Sequence, residues 1–175
     1  MGQDMSGAGL RLRNLTVDDL ALYEAVHCDP AMMEHLGGPL PKEGLAEKLR
    51  RDVTSIASGE ARVFVIEPEG DGGPTAGTIA VWEHDQHGDP IVEIGWMVLP
   101  TFQGRGVGTA AVRAALDLVR AEGRWHVVHA FPPVTNPGSN AMCRRMGFSF
   151  VEEREYVFRG RPLRCNHWSL DLRAC

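Results

Sequence analysis

The sequence predicts a mixed α/β domain: a central sheet of about six to seven strands flanked by about four helices. Three observations point there. A chain of 175 residues with 43% apolar and 23% charged side chains can bury one sizeable core. From Ala61 onward the apolar period shortens to that of strands, with three β-branched and aromatic runs in succession. After the stretch QGRGVG, Gln103 to Gly108, a helical period returns, so strands and helices alternate along one chain.

The elements follow in order. LRLRNL, Leu10 to Leu15, alternates apolar and polar residues as a half-buried strand does. Thr16 with Asp19 three residues on reads as an acidic capping box opening a helix through Leu20, Tyr23 and Val26, which Pro30 interrupts. A short helix through Met32 and Met33 ends at Gly37-Gly38, and Pro41, at a first-turn position, opens a third with Leu45, Leu49, Val53 and Ile56 on one face. ARVFVIEP, TAGTIAVWEH and PIVEIGWMVL, separated by EGDGGP and DQHGDP, are three consecutive antiparallel strands. Val107, Ala111, Ala114 and Leu118 mark the next helix, stopped by Gly123. A strand over Trp125 to Phe131, a helix from Ser139 to Met146, and two strands flanking the Arg159-Gly160 turn complete the chain. The first nine residues lack an apolar signal core and are expected to be a flexible leader to a single domain over 10–175.

A net charge of −5 without a long Lys/Arg run offers no footprint for nucleic acid, and no apolar run reaches the roughly 20 residues of a membrane span. A cytoplasmic location and amine-bearing or cationic partners are the expectation. Cys28, Cys143, Cys165 and Cys175 show no paired spacing and read as free thiols. His84-x-x-His87 spans a turn with no further well-spaced ligand, and His126 and His129 fall on opposite faces of a strand, so no metal is expected.

QGRGVG sits where a strand hands over to a helix. Glycines there let backbone N–H groups approach a ligand, and the positive end of the helix macrodipole favours phosphate. A P-loop would need a lysine in or just after the loop, and none is present. A dinucleotide fingerprint would need glycine where Thr109 stands, and an acid at the end of the next strand, which closes instead in Ala130 and Phe131. A tight turn whose glycines serve conformation alone stays open at this point.

The run from Ile91 to Phe148 resembles the GNAT family of N-acetyltransferases. Its signature, [RQ]-x-x-G-x-[GA], is met by Gln103 to Gly108, and a second motif by Asn136, Ser139, Gly147 and Phe148 in the right order and separation. The looser resemblance runs from Leu10 to Leu172 and is similar to the RimJ/RimL-like branch. It implies a mostly antiparallel, twisted sheet splayed at the cofactor site, with acetyl-CoA as co-substrate. By position, its pyrophosphate would lie on the amides of Gly104, Arg105, Gly106, Val107, Gly108 and Thr109, and its pantetheine arm along Trp96, Met97 and Val98. Val98 would face the thioester oxygen, and Asn136 and Ser139 would adjoin the arm.

The resemblance leaves the proton path open. Where relatives often carry a tyrosine, this chain has Cys143; where some carry a glutamate, it has Phe131. Others place the glutamate in the cofactor-binding strand, at Glu93, among apolar neighbours that suit a carboxylate required to take up a proton. Trp82, Glu83, Asn166 and Trp168 offer aromatic and polar groups for an amine acceptor. The expected reaction is direct attack of a primary amine on acetyl-CoA in a ternary complex. The acceptor is expected to be a small cationic or antibiotic-like amine; alternatives are a protein N-terminus, or a CoA-binding module without turnover. Homodimerisation is left open.

Overall fold

The computed structural model describes residues 5–7, 10–68, 74–86 and 88–173. In chain order the elements are β1 (Met5–Gly7), β2 (Leu10–Asn14), α1 (Leu20–His27), α2 (Leu45–Ser58), β3 (Ala61–Pro68), β4 (Gly77–Gln86), β5 (Asp89–Val98), α3 (Val107–Glu122), β6 (Val127–Ala130), α4 (Pro137–Arg145), β7 (Ser149–Phe158) and β8 (Arg161–Asp171). Short 3-10 turns lie at Glu34–Leu36 and Pro100–Phe102.

One eight-stranded sheet runs β1-β2-β3-β4-β5-β6-β8-β7. Every neighbouring pair is antiparallel except β5 with β6. That pair is parallel because a 16-residue helix, α3, carries the chain back between the strands, as a parallel pairing requires. Gly77 shows how closely β4 and β5 approach: a Cβ there would stand 1.9 Å from the Met97 carbonyl oxygen.

Alternation along the strands sorts side chains onto two faces. On one, Ile79, Val81, Ile94 and Val128 pack against Ala111, Val112, Ala115 and Val119 of α3, joined by Cys143 and Phe148. On the other, Leu15, Val63 and Val65 meet Tyr23 and Val26 of α1 and Leu45 and Leu49 of α2. Burying each such aliphatic side chain is worth about 1.5–3 kcal/mol, and this packing holds helices that would be marginal in isolation. The expected stripe Leu45, Leu49, Val53, Ile56 is the face that packs.

Several boundaries differ from the sequence reading. Met5–Gly7, assigned to the leader, pair with Leu10–Leu12 as an edge strand; residues 1–4 and 8–9 lie outside the described residues. Helix α1 starts after Asp19 rather than at Thr16, because the Asp19 carboxylate takes the Thr16 N–H (2.8 Å) and a two-pronged contact from Arg13 (2.6 and 2.8 Å). Pro41 does not open α2; Gly44, in the left-handed region, precedes its first residue.

Candidate active site

Strands β5 and β6 share a single pairing, Glu93 with His129, and then diverge. Because the Leu99 N–H donates to the carbonyl of Ala76, the residue just before β4 (2.8 Å), the backbone groups of Val98, one residue earlier, face the gap, and by alternation so do those of Trp96. Met97, expected alongside them, turns its carbonyl toward Gly77 on β4 instead. The Val98 carbonyl is held by Gln103 Nε2 at 2.8 Å, which gives the first residue of the glycine motif a structural task.

At the end of the gap, Gly104 and Gly106 adopt positive φ (71° and 81°), and Gly106 caps α3 with no side-chain hydrogen bond. The amides of the first helical turn are therefore left for an external anion. A Cβ on Gly108 would sit 3.2 Å from Val98 Cγ2, so glycine there lets α3 approach β5. Arg145 of α4 donates to Thr109 Oγ1 at 3.2 Å, bringing a cation to the same turn; no motif marked it. Arg105 reaches back to the Thr101 carbonyl at 3.4 Å.

Asn136 caps α4, its Oδ1 accepting the Ser139 N–H at 3.0 Å, and both residues border the cavity described next. One turn on, Asn140 is buried and fully engaged. Its Nδ2 donates to the carbonyls of Pro133 (3.0 Å) and Asn136 (2.8 Å), and its Oδ1 accepts from Asn166 Nδ2 (2.8 Å) and Trp168 Nε1 (3.0 Å). Asn166 and Trp168, expected at the acceptor site, instead lock α4 to β8 and do not line the cavity. Strand parity explains it: Trp168 pairs with Ala130, whose side chain belongs to the α3 core.

A cavity of about 520 Å³ opens on the α1/α2 face and reaches through the splay to Trp96. Glu93 stands in its wall, 9% exposed. Tyr156 of β7 donates its O–H to Glu93 Oε2 at 2.8 Å, and His84 Nε2 meets the same oxygen at 2.8 Å. Oε1 accepts no bond among the described residues and is not sealed from the cavity. His84 also has the Asp85 carbonyl 3.3 Å from Nδ1, so both ring nitrogens face acceptors; its hydrogen bond to Glu93, outweighing its burial, raises its pKa. Tyr156 is held well above the usual phenol range by burial and by the neighbouring carboxylate.

Aromatic rings back this group. Phe131 lies against Tyr156 (centroids 5.0 Å apart) and His167 (4.6 Å), and Trp82 stacks on His84 at 6.1 Å. His167 Nε2 is 2.8 Å from His129 Nδ1, an arrangement that places one proton between two nitrogens, while His167 Nδ1 is buried without a partner among the described residues. Burial, reinforced by His129, pulls His167 down to about 4. At the other end stand Tyr23, His27, Lys48, Asp52 and Arg159. Asp52 accepts from Tyr23 (2.6 Å) and Lys48 (2.5 Å). The roof is pinned by His35 to Thr135 (3.2 Å) and by Arg161 to the Gly37 carbonyl (3.4 Å).

Two further expected residues sit apart from this constellation. Cys143 is fully buried in the α3 core and off the cavity, and burial pushes its thiol up to about 12, which makes it a poor proton donor. Glu83 borders the cavity, but its carboxylate is taken by Trp125 Nε1 (2.5 Å) and Arg124 (2.8 Å). Trp82, by contrast, pairs with Glu93 across β4 and β5 and shares its face. Among the described residues no group of three potential metal ligands occurs; His87 lies outside them.

Comparison with known proteins converges on this architecture. The solved RimL ribosomal L7/L12 alpha-N-protein acetyltransferase superposes with a TM-score of 0.79 at 19% identity, over 98% of this chain and 95% of that one. Its complex with coenzyme A gives 0.80 at 18%, over 99% and 100%. The spermidine N-acetyltransferase of Vibrio cholerae, solved with CoA and spermine, gives 0.77 at 18%, over 95% and 97%. An uncharacterised N-acetyltransferase of Methanocaldococcus jannaschii is 38% identical over 58 residues, a match spanning 33% of this chain and 24% of that protein. The profile of the Acetyltransferase (GNAT) domain matches residues 9–149, most of the chain and all of the splayed region and its glycine loop, and the chain belongs to the GNAT acetyltransferase family.

Proposed function

We propose that the protein is an acetyl-CoA-dependent N-acetyltransferase acting on a small primary amine that enters as the ammonium. Support comes from a carboxylate whose second oxygen borders a cavity of about 520 Å³, at the point where the sheet parts beside uncapped helix amides. Acetyl-CoA fits the chain's own features: the first-turn amides of α3 suit its diphosphate, and the gap-facing backbone of Trp96 and Val98 suits its amide arm. When bound, it supplies the thioester carbonyl as electrophile.

The chain then does three things. Glu93 Oε1 takes one proton from the ammonium, directly or through a water, while Tyr156 and His84 fix the carboxylate through Oε2. The Val98 N–H points into the gap, toward the carbonyl oxygen as it gains charge. The walls hold amine and carbonyl in contact. As the N–C bond forms and the C–S bond breaks, the nitrogen sheds its second proton, which passes through water to the leaving thiolate, so Cys143 is not needed. The pinned roof and aromatic walls favour a small molecule over a polypeptide N-terminus. Following free thiol while the protein meets acetyl-CoA and a panel of amines tests the reading. Release of one CoA per N-acetylated small amine is expected. Acetyl-CoA binding without release from any amine, or turnover of peptide N-termini alone, would contradict it.

A further inference from the structure

One basic group at the cavity has no task in the reaction above. Arg159 lines the cavity at the tip of the β7–β8 hairpin, and it is the single non-glycine residue with positive φ (52°) among the described residues. Phe158 pairs with Arg161, so Arg159 and Gly160 (φ 73°) form a two-residue turn with positive φ at both centres. Such a turn prefers Asn or Gly at its first centre, and a long side chain is held there against its backbone preference. Strain of this kind, at the edge of a cavity, points toward function.

The other basic groups at that end are already committed. Lys48 is bonded to Asp52 (2.5 Å), Arg161 reaches the Gly37 carbonyl (3.4 Å), and His27 is buried against Tyr23. Arg159 has no carboxylate partner among the described residues; its guanidinium stands over the Phe158 ring, 5.1 Å from the centroid. Desolvation lowers its pKa, and a guanidinium keeps its charge in proteins. Tyr156, which marks the amine end, lies three residues earlier on the same strand, on the order of 10 Å along the backbone.

We infer that the acceptor carries an anionic group remote from its amine, a carboxylate or a phosphate, and that Arg159 is its anchor. The amine end meets Glu93 and the anionic end meets the guanidinium, which fixes the acceptor's direction in the cavity. This inference rests on the acetyltransferase reading and narrows its substrate class from amines in general to amino acids and aminoalkyl acids.

Matched acceptors test it: free amino acids and ω-amino acids of increasing chain length, each beside its decarboxylated amine, with aminoalkyl phosphates as a third arm. Wild-type protein should favour the anionic member by about tenfold or more in kcat/KM, mostly through KM. Arg159→Asn, which suits the turn and should fold at least as well, is expected to lower kcat/KM for anionic acceptors about tenfold more than for their uncharged counterparts, with Arg159→Lys restoring part of the loss. The arm with the larger preference identifies carboxylate or phosphate. Equal use of both members by the wild type, or equal losses in Arg159→Asn, would overturn the anchor. Calorimetric titration of the N-acetylated products into the CoA-bound protein gives a readout apart from turnover: weakening by Arg159→Asn confined to anionic products supports the anchor, and unchanged affinities refute it. Failure of every amine to release CoA would instead remove the acetyltransferase reading on which the anchor rests.

Discussion

The phenol of Tyr156 donates to Oε2 of Glu93 at 2.8 Å across 63 residues of chain. The bond joins the two halves of the sheet at their point of parting, since Glu93 belongs to β5 and Tyr156 to β7, with β6 and β8 between them. In the proposed reaction this bond makes Tyr156 a positioning residue, orienting the carboxylate that would accept the proton. Tyr156→Phe should lower kcat about tenfold with little change in the KM for acetyl-CoA, and should displace the acidic limb of the pH–rate profile. A purely structural role would lower Tm and leave the profile in place.

Gly106 controls the other end of the site. Aspartate at this N-cap position would put a carboxylate beside the amides proposed to hold the diphosphate, repelling phosphate. Gly106→Asp places a side chain at φ 81° and should cost about 1 kcal/mol of stability, while acetyl-CoA binding by the folded variant weakens about a hundredfold by calorimetry. Unchanged affinity would place the diphosphate elsewhere.

Much of this was legible in the sequence, and the failures share a cause. Periodicity marked most of the strands and helices, and QGRGVG with Asn136, Gly147 and Phe148 marked the glycine turn that opens α3 and the capped start and glycine end of α4, because short motifs encode local backbone shape. The acceptor side has no local code. Asn166 and Trp168 were chosen for side-chain chemistry, but facing is set by β8's register against β6, which composition does not reveal. Tyr156 was missed for the converse reason: its partner comes from a distant strand. Parity would have helped, since Tyr156 pairs with Leu163, and both line the cavity.

Cys143 gives a clean separation of packing from chemistry. It is fully buried with its thiol pushed up to about 12. Cys143→Ala should cost about 1 kcal/mol of stability and leave the rate of acetyl transfer within about twofold of wild type. A hundredfold fall in kcat with unchanged Tm would restore the thiol as a proton donor.

His167 makes the acid side of the stability profile predictable. Its folded pKa of about 4 lies below the unfolded value of about 6.5. Between these pH values the unfolded chain binds more protons, so stability falls as pH drops from 6.5 toward 4. His167→Phe keeps a ring against Phe131 and removes both this titration and the unpartnered Nδ1. The variant should gain on the wild type at pH 5 relative to pH 8 by on the order of 1 kcal/mol, discounted for solvent screening, or about 2–4 °C in Tm. A pH-independent difference would contradict the assigned neutral state.

In the proposed reaction Glu93 removes the proton that lets the amine attack. Steady-state acetyl transfer by Glu93→Gln across pH 5.5 to 9.5 tests it most directly. Glutamine keeps an acceptor oxygen for Tyr156 and His84 but cannot take a proton. The variant's kcat/KM should fall by about 10² or more near neutrality, with the deficit narrowing at high pH, where the amine arrives already deprotonated. A variant with the wild-type rate and the wild-type pH profile would contradict it.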